Sequence, residues 1–197
     1  MAGKAMNILI VGVGGQGTLL TSRILAQVAV DLGYDVKVSE IHGMAQRGGS
    51  VVSQVRYGEK IYSPIISKGD ADIILAFEKL EAARWLDYLK PDGMIIINDD
   101  RVDPLPVMSG KVKYPEDIDQ HIAQMVEKTL VVDASSIAVG CGNVRAANVV
   151  MVGILAGAMG FPEGEVEKAI QAMVPPKALD INLKAFKEGH NLYSNIA

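Results

Sequence analysis

The stretch Asn7-Ile-Leu-Ile-Val-Gly-Val-Gly-Gly-Gln-Gly-Thr18 constrains the fold more than any other part of the chain. Ile8 to Val11 is an apolar run of the length of a buried strand. A glycine cluster follows. From Thr18 to Leu32, apolar residues recur every three or four positions (Leu19, Leu20, Ile24, Leu25, Val28, Leu32), which is one stripe of a helix. Gly33 is placed to end it. Strand, tight turn and helix in this order open an α/β domain. Gly12, Gly14 and Gly17 match G-x-G-x-x-G in the context that gives the pattern meaning. On this reading Gly12 permits the sharp turn, and Gly14 and Gly15 leave the backbone open to a ligand. Gly17 lets the helix pack close to the strand. The helix N-terminus adds unpaired N–H groups and a partial positive charge suited to an anion. Gly12, Gly14, Gly15, Gln16, Gly17 and Thr18 are therefore candidate cofactor-binding residues, with Gln16 a candidate hydrogen-bonding side chain.

Further along, Val36 to Ile41 reads as a second strand, with Glu40 near its end. A nucleotide-binding unit carries an acid about 20 residues after the loop to hold ribose hydroxyls. Glu40 fits that role, or is a plain strand-end acid. The next segment, His42-Gly-Met-Ala-Gln-Arg-Gly-Gly-Ser50, is a glycine-rich loop with one guanidinium. Arg47, Gly48 and Gly49 join the candidates, because the fork of an arginine grips phosphate or carboxylate. Val51 to Tyr57 alternates as a strand does, and Gly58-Glu59 with Lys60-Ile61-Tyr62 suggests a hairpin return. Asp72 to Phe77, Met94 to Ile97 and Thr129 to Asp133 read as buried strands, and Lys111 to Tyr114 as a short one. Helices are expected over Glu78–Lys90, 115–128, Ala146–Met159, Pro162–Met173 and Leu179–Lys187. Gly153 and Gly157 have the small-xxx-small spacing of a close helix contact. The expected fold is α/β: a single Rossmann-like domain over residues 1–197, with a mostly parallel sheet and an inserted hairpin.

Composition removes several function classes. With net charge −4, both signs spread along the chain and 5% aromatic residues, there is no nucleic-acid footprint. The longest apolar run, Val149 to Phe161, is shorter than the roughly 20 residues a bilayer needs. No basic leader with a cleavage site precedes the first strand, so the expected location is cytoplasmic. The single cysteine, Cys141, allows neither an internal disulfide nor a self-contained iron–sulfur cluster. His42, His121 and His190 lie far apart, so no metal site is expected. Hydrophobic residues make up 49%, which points to a partner subunit or to self-association when the chain is isolated.

Four pieces taken together resemble a known family. They are Gly12-Val-Gly-Gly-Gln-Gly17; Gln46-Arg-Gly-Gly49 with Ser53-Gln-Val-Arg56; Ser63-Pro64-Ile65, then Gly69-Asp-Ala-Asp72 and Leu75-Ala-Phe-Glu78; and Asn143 with Asn148 ahead of Val152-Gly153. The chain is similar along nearly its whole length to the gamma-type subunits of 2-oxoacid:ferredoxin oxidoreductases, and within them to the small subunit of the indolepyruvate enzymes. The resemblance implies a subunit that is inactive alone. It would complete the active-site cleft of a large subunit bearing thiamine diphosphate, magnesium and iron–sulfur clusters. The reaction it implies would be oxidative decarboxylation of a 2-oxoacid, indolepyruvate or another aryl pyruvate, with coenzyme A as co-substrate and ferredoxin taking the electrons.

Gly69-Asp-Ala-Asp72 with Asn98 is a decoy for thiamine diphosphate binding, since Ala71 replaces the expected second glycine. No catalytic residue is assigned. Glu78 reads as a first-turn helix acid, and Asn148 as a buried amide that caps a loop or faces a functional cleft. The alternative function is a stand-alone NAD(P)-dependent oxidoreductase or a nucleotide-binding module, although no Ser-Tyr-Lys or His–Asp set accompanies the glycine loop. Whether that loop meets a phosphate or a partner subunit stays open at this stage.

Overall fold

A computed structural model describes residues 5–42 and 49–196. Six strands form one sheet: β1 (Met6–Val13), β2 (Asp35–His42), β3 (Ser50–Gly58), β4 (Ala71–Ala76), β5 (Leu89–Asn98) and β6 (Lys128–Val132), in the order β2-β3-β1-β4-β5-β6. β1, β4, β5 and β6 are parallel neighbours. β3 alone runs against both of its neighbours, β1 and β2.

The antiparallel hairpin thus joins β2 to β3, with Ile41 opposite Val52 and Asp35 opposite Gly58. The expected return strand at Lys60–Tyr62 is not formed. Both edges of β3 are already taken, and Ile61 is instead tied by its N–H to the Asp35 carboxylate at 2.8 Å. The segment after β3 folds back as an irregular cover. Arg56 donates to Asn7 Oδ1 and to the carbonyls of Ser63 and Ile65, and Gln54 Oε1 accepts from Ile66 N–H.

Alternation along the strands builds two cores. Ile8 and Ile10 face α1 (Thr18–Asp31) together with the C-terminal helices. Leu9 and Val11 face α2 (Lys79–Trp85) and α4 (Ile118–Met125). Between β5 and α4 lies α3 (Leu105–Met108), a single exposed turn, and Lys111–Tyr114 is not a strand. β5 begins five residues before the expected Met94, with a register irregularity where Pro91-Asp-Gly93 interrupts its pairing.

The C-terminal third adds α5 (Ala134–Cys141), α6 (Ala147–Met159), α7 (Glu163–Met173) and α8 (Leu179–Ser194). α5 escapes the sequence reading because Ala-Ser-Ser-Ile-Ala-Val-Gly-Cys has no apolar period. α6 is apolar on all sides because it is core: every residue from Asn148 to Ala156 is buried. Its partner is α8 of the same chain. A Cβ on Gly153 would lie 2.2 Å from the Phe186 carbonyl, and one on Gly189 would lie 2.1 Å from that of Val150. The two backbones touch because neither position carries a side chain. Among the described residues, no helix is long and apolar enough to cross a membrane.

Candidate functional site

After β1 the chain crosses to β2 and β3 on one side, and β4 then pairs on the other. This reversal opens a crevice at the carboxyl ends of β1 and β4, where ligands sit in open α/β sheets. The glycine loop lies there, but its residues do different jobs from those the pattern suggests.

Gly12 makes no sharp turn. It lies inside β1 without a positive φ, and it is small because a Cβ would meet Gln16 Oε1 at 2.9 Å and Phe77 Cβ at 3.0 Å. The turn falls to Gly15 and Gly17, with φ of 108° and 87°, in the region that side chains avoid. Gly17 does not serve helix–strand packing. A Cβ on it would lie 2.6 Å from Asn148 Nδ2, so it is the α6 side chain that comes close. Gly14 N–H donates to the Gly49 carbonyl at 2.9 Å. Thr18 is buried at the first turn of α1. Arg47 and Gly48 lie outside the described residues.

Gln16 closes the crevice from within. Its Oε1 accepts from Val13 N–H at 2.7 Å. Its Nε2 donates to the Phe77 carbonyl and to Asp100 Oδ2, both at 3.0 Å. One amide thus joins the ends of β1 and β4 to Asp100, two residues past β5. Asn98 repeats the device one strand over, donating to the same Phe77 carbonyl and accepting from Ala134 N–H at the start of α5.

Glu78, buried at the end of β4, caps α2 by accepting from Glu81 N–H, as its sequence position suggested. It also accepts from Val102 N–H and from the Tyr114 hydroxyl, so it anchors both ends of the β5–α4 connection. Burial first, and the Glu78 carboxylate second, push the Tyr114 hydroxyl well above the usual phenol range. Glu81, also buried, accepts from Ser50 Oγ and Arg84, which fixes the start of β3. Lys79 is held further into its charged form by its hydrogen bond to Asp99.

Past the Gln16 bridge a cleft of about 320 Å³ remains. Gly15, Gly17 and Asp100 form one wall, and Ser135, Arg145 and Asn148 another. Three helices, α1, α5 and α6, begin around it. Asn148 faces the cleft, the second of the two roles expected of it. Ser135, Asp100 and Arg145 were not singled out from sequence. Arg145 was within reach of such reasoning, as the one cation between Asn143 and Asn148.

The thiamine diphosphate decoy does not assemble. Asp70 and Asp72 stand at the amino end of β4, where they bond Asn7 and Lys90, while Asn98 ends β5 at the opposite edge of the sheet. Glu40 does not reach the glycine loop as a ribose-binding acid would. β3 separates β2 from β1, and Glu40 accepts from Ser22 on the flank of α1. Among the described residues no group of His, Cys, Asp and Glu could hold a metal ion.

A mostly parallel six-stranded sheet with an antiparallel third strand, flanked by helices on both faces, defines a single α/β module. The comparisons with known proteins agree. Residues 7–192 match the pyruvate ferredoxin/flavodoxin oxidoreductase family, and the chain belongs to it. It is 42% identical to indolepyruvate oxidoreductase subunit IorB of Pyrococcus horikoshii over 191 residues, 94% of this chain and 95% of that one. It is 43% identical to the IorB subunit of Archaeoglobus fulgidus over 190 residues, 94% of each. The fold matches the crystal structure of the gamma subunit of a keto/oxoacid ferredoxin oxidoreductase from Geobacter sulfurreducens, with TM-score 0.72 at 23% identity, covering 96% of this chain and 99% of that one.

Proposed function

We propose that this chain is the small subunit of an indolepyruvate-type 2-oxoacid:ferredoxin oxidoreductase. The observation that carries the reading is the end-to-end identity with the IorB subunits, 42% with both chains covered almost completely. The large partner subunit would carry thiamine diphosphate, magnesium and the iron–sulfur clusters. This chain has one cysteine, buried at the end of α5, and the residues that mimic a thiamine diphosphate motif stand on opposite edges of its sheet. Electrons would therefore leave through the partner to ferredoxin, in the cytoplasm.

This chain's part is to present the carboxyl edge of its sheet to the partner's site and to the co-substrate coenzyme A. Gly15 and Gly17 give the open face of the loop, with Thr18 buried behind it. Gly12, Gly14, Gln16 and Gly49 hold its shape, and Arg47 and Gly48, outside the described residues, remain candidates for the same ligand. The dinucleotide reading loses support from geometry, since Gln16 bridges the crevice and Glu40 lies a strand away.

The test is anaerobic co-expression with the large subunit, followed by indolepyruvate-, coenzyme A- and ferredoxin-dependent turnover. Activity is expected only from the complex. A large subunit fully active alone, or an isolated chain that oxidises or reduces a nicotinamide, would refute the proposal.

A further inference from the structure

The connection from β5 to α4 carries apolar side chains that nothing in this chain covers. Leu105 is 76% exposed, Met108 73% and Val112 55%. Leu105 and Met108 stand three apart on the single turn of α3, so they share one face. The chain doubles back at Gly110, whose φ of 72° is in the left-handed region. The N–H groups of Lys111 and Val112 then both donate to the Pro106 carbonyl, which brings Val112 beside the turn. Val107 packs inward on the second core. Single exposed leucines are ordinary, but three large apolar side chains on one knuckle form a patch. Both ends of the knuckle are tied to the buried Glu78 carboxylate, which accepts from Val102 N–H at 3.3 Å and from the Tyr114 hydroxyl. Arg101 lies over the Tyr114 ring, 4.3 Å from its centroid, and pairs with Asp103. Pro104 and Pro106 fix two more backbone angles. A loop that exposes leucine and methionine and is held from folding them away is preorganised for a partner.

We propose that Leu105, Met108 and Val112 form a docking knuckle that seats in an apolar pocket of the large catalytic subunit, with Lys111 and Lys113 meeting carboxylates on the rim of that pocket. It rests on the function proposed above for the existence of that subunit. Two observations choose the occupant. The knuckle springs from the carboxyl end of β5, directly after Asp100 on the cleft wall, so it continues the sheet edge assigned above to the partner. Lys111 and Lys113, both exposed, make no ion pair among the described residues, in a chain whose net charge is −4. Two copies of this chain meeting through the patch would gather four lysines around one two-fold axis, a like-charge contact. A different chain with an acidic rim meets the same lysines favourably. The apolar side chains at the centre supply the affinity, and the lysines at the edge steer the approach.

Binding of the full-length chain to the large subunit of the same source is measured anaerobically, by sedimentation for the equilibrium and by an immobilised large subunit for the rates. Leu105→Ser combined with Met108→Ser shortens two exposed side chains and leaves both cores untouched. It should weaken assembly about tenfold or more, through faster dissociation. Lys111→Glu combined with Lys113→Glu should slow association about tenfold at low salt, and the difference should shrink as salt is raised. Tyr62→Ser is the control. Tyr62 is 85% exposed and follows Ile61, which is tied to Asp35 at the start of β2, on the opposite edge of the sheet. Its loss should leave assembly unchanged. All three variants should unfold in urea at the wild-type midpoint, so a lost fold does not mimic a lost contact. If wild-type chain assembles and both double variants bind as it does, the knuckle is not the contact, and the function proposed above still stands. If wild-type chain does not assemble with the large subunit, both proposals fall. If the serine variant abolishes only self-association of the isolated chain, the patch is a contact between copies and the docking proposal is overturned.

Discussion

Gly153→Ala adds one methyl group where α6 crosses α8. The new Cβ would lie 2.2 Å from the Phe186 carbonyl and 2.8 Å from His190 N, against an ordinary separation of 3.4–4 Å. Both neighbours are backbone, so no rotamer change relieves the contact and the helices must part by about 1 Å or more. Overpacking of this kind costs roughly 3 kcal/mol, and the better helix propensity of alanine returns about 1 kcal/mol. The net loss is about 2 kcal/mol, which at this chain length lowers Tm by roughly 4–8 °C. Gly164→Ala in α7 is the control, because nothing lies within 4 Å of its Cβ. It should stabilise by about 0.5–1 kcal/mol. Urea and thermal unfolding of the two variants measure the contrast. If Gly153→Ala unfolds within about 0.5 kcal/mol of the parent, the crossing is not the tight backbone contact described. Parting the helices also moves the start of α6, so Asn148 should lose its position over Gly17.

Gln16→Ala strands the Val13 N–H and weakens the Phe77 carbonyl and Asp100 contacts; a loss of about 2 kcal/mol in urea unfolding is expected, and no loss would mean that the bridge is ornamental. Tyr57 and Tyr114 are both pushed above the usual phenol range, each chiefly by burial. The unfolded chain therefore releases these protons near pH 10 while the folded chain keeps them, so stability is full below that pH and falls as pH rises above it. The slope of that fall should lessen in Tyr57→Phe and in Tyr114→Phe; an unchanged alkaline slope in both refutes the assignment. Arg56→Lys removes the fork that holds Ser63 and Ile65, so hydrogen exchange over residues 59–69 should accelerate while the strands stay protected.

Several short motifs turn out to be paired across space. Gly17 is bare because Asn148, more than a hundred residues later, rests on it. Ser53-Gln-Val-Arg56 holds Ser63-Pro64-Ile65 through Arg56. Glu78 anchors both Val102 and Tyr114. Asn148 and Glu78 were visible as unusual residues for their place, a buried amide and an acid after a strand, but their distant partners were not. Where a partner was local, the reading was close: Glu78 caps its own helix, and Gly153 marks a close helix contact.

By itself, the sequence determined the alternation that makes β1 a two-faced central strand, the strand–turn–helix opening, the all-round apolar character of α6 and the absence of thiolates for a cluster. These depend on periodicity and residue chemistry, which act within a few residues. Only the tertiary structure decided that β3 inserts between β1 and β2, that Gln16 bridges the ends of β1 and β4, and that Asn148 and Arg145 line the cleft beside it. Strand order and side-chain convergence depend on which distant surfaces fit together, and a period of two or 3.6 residues carries no record of that.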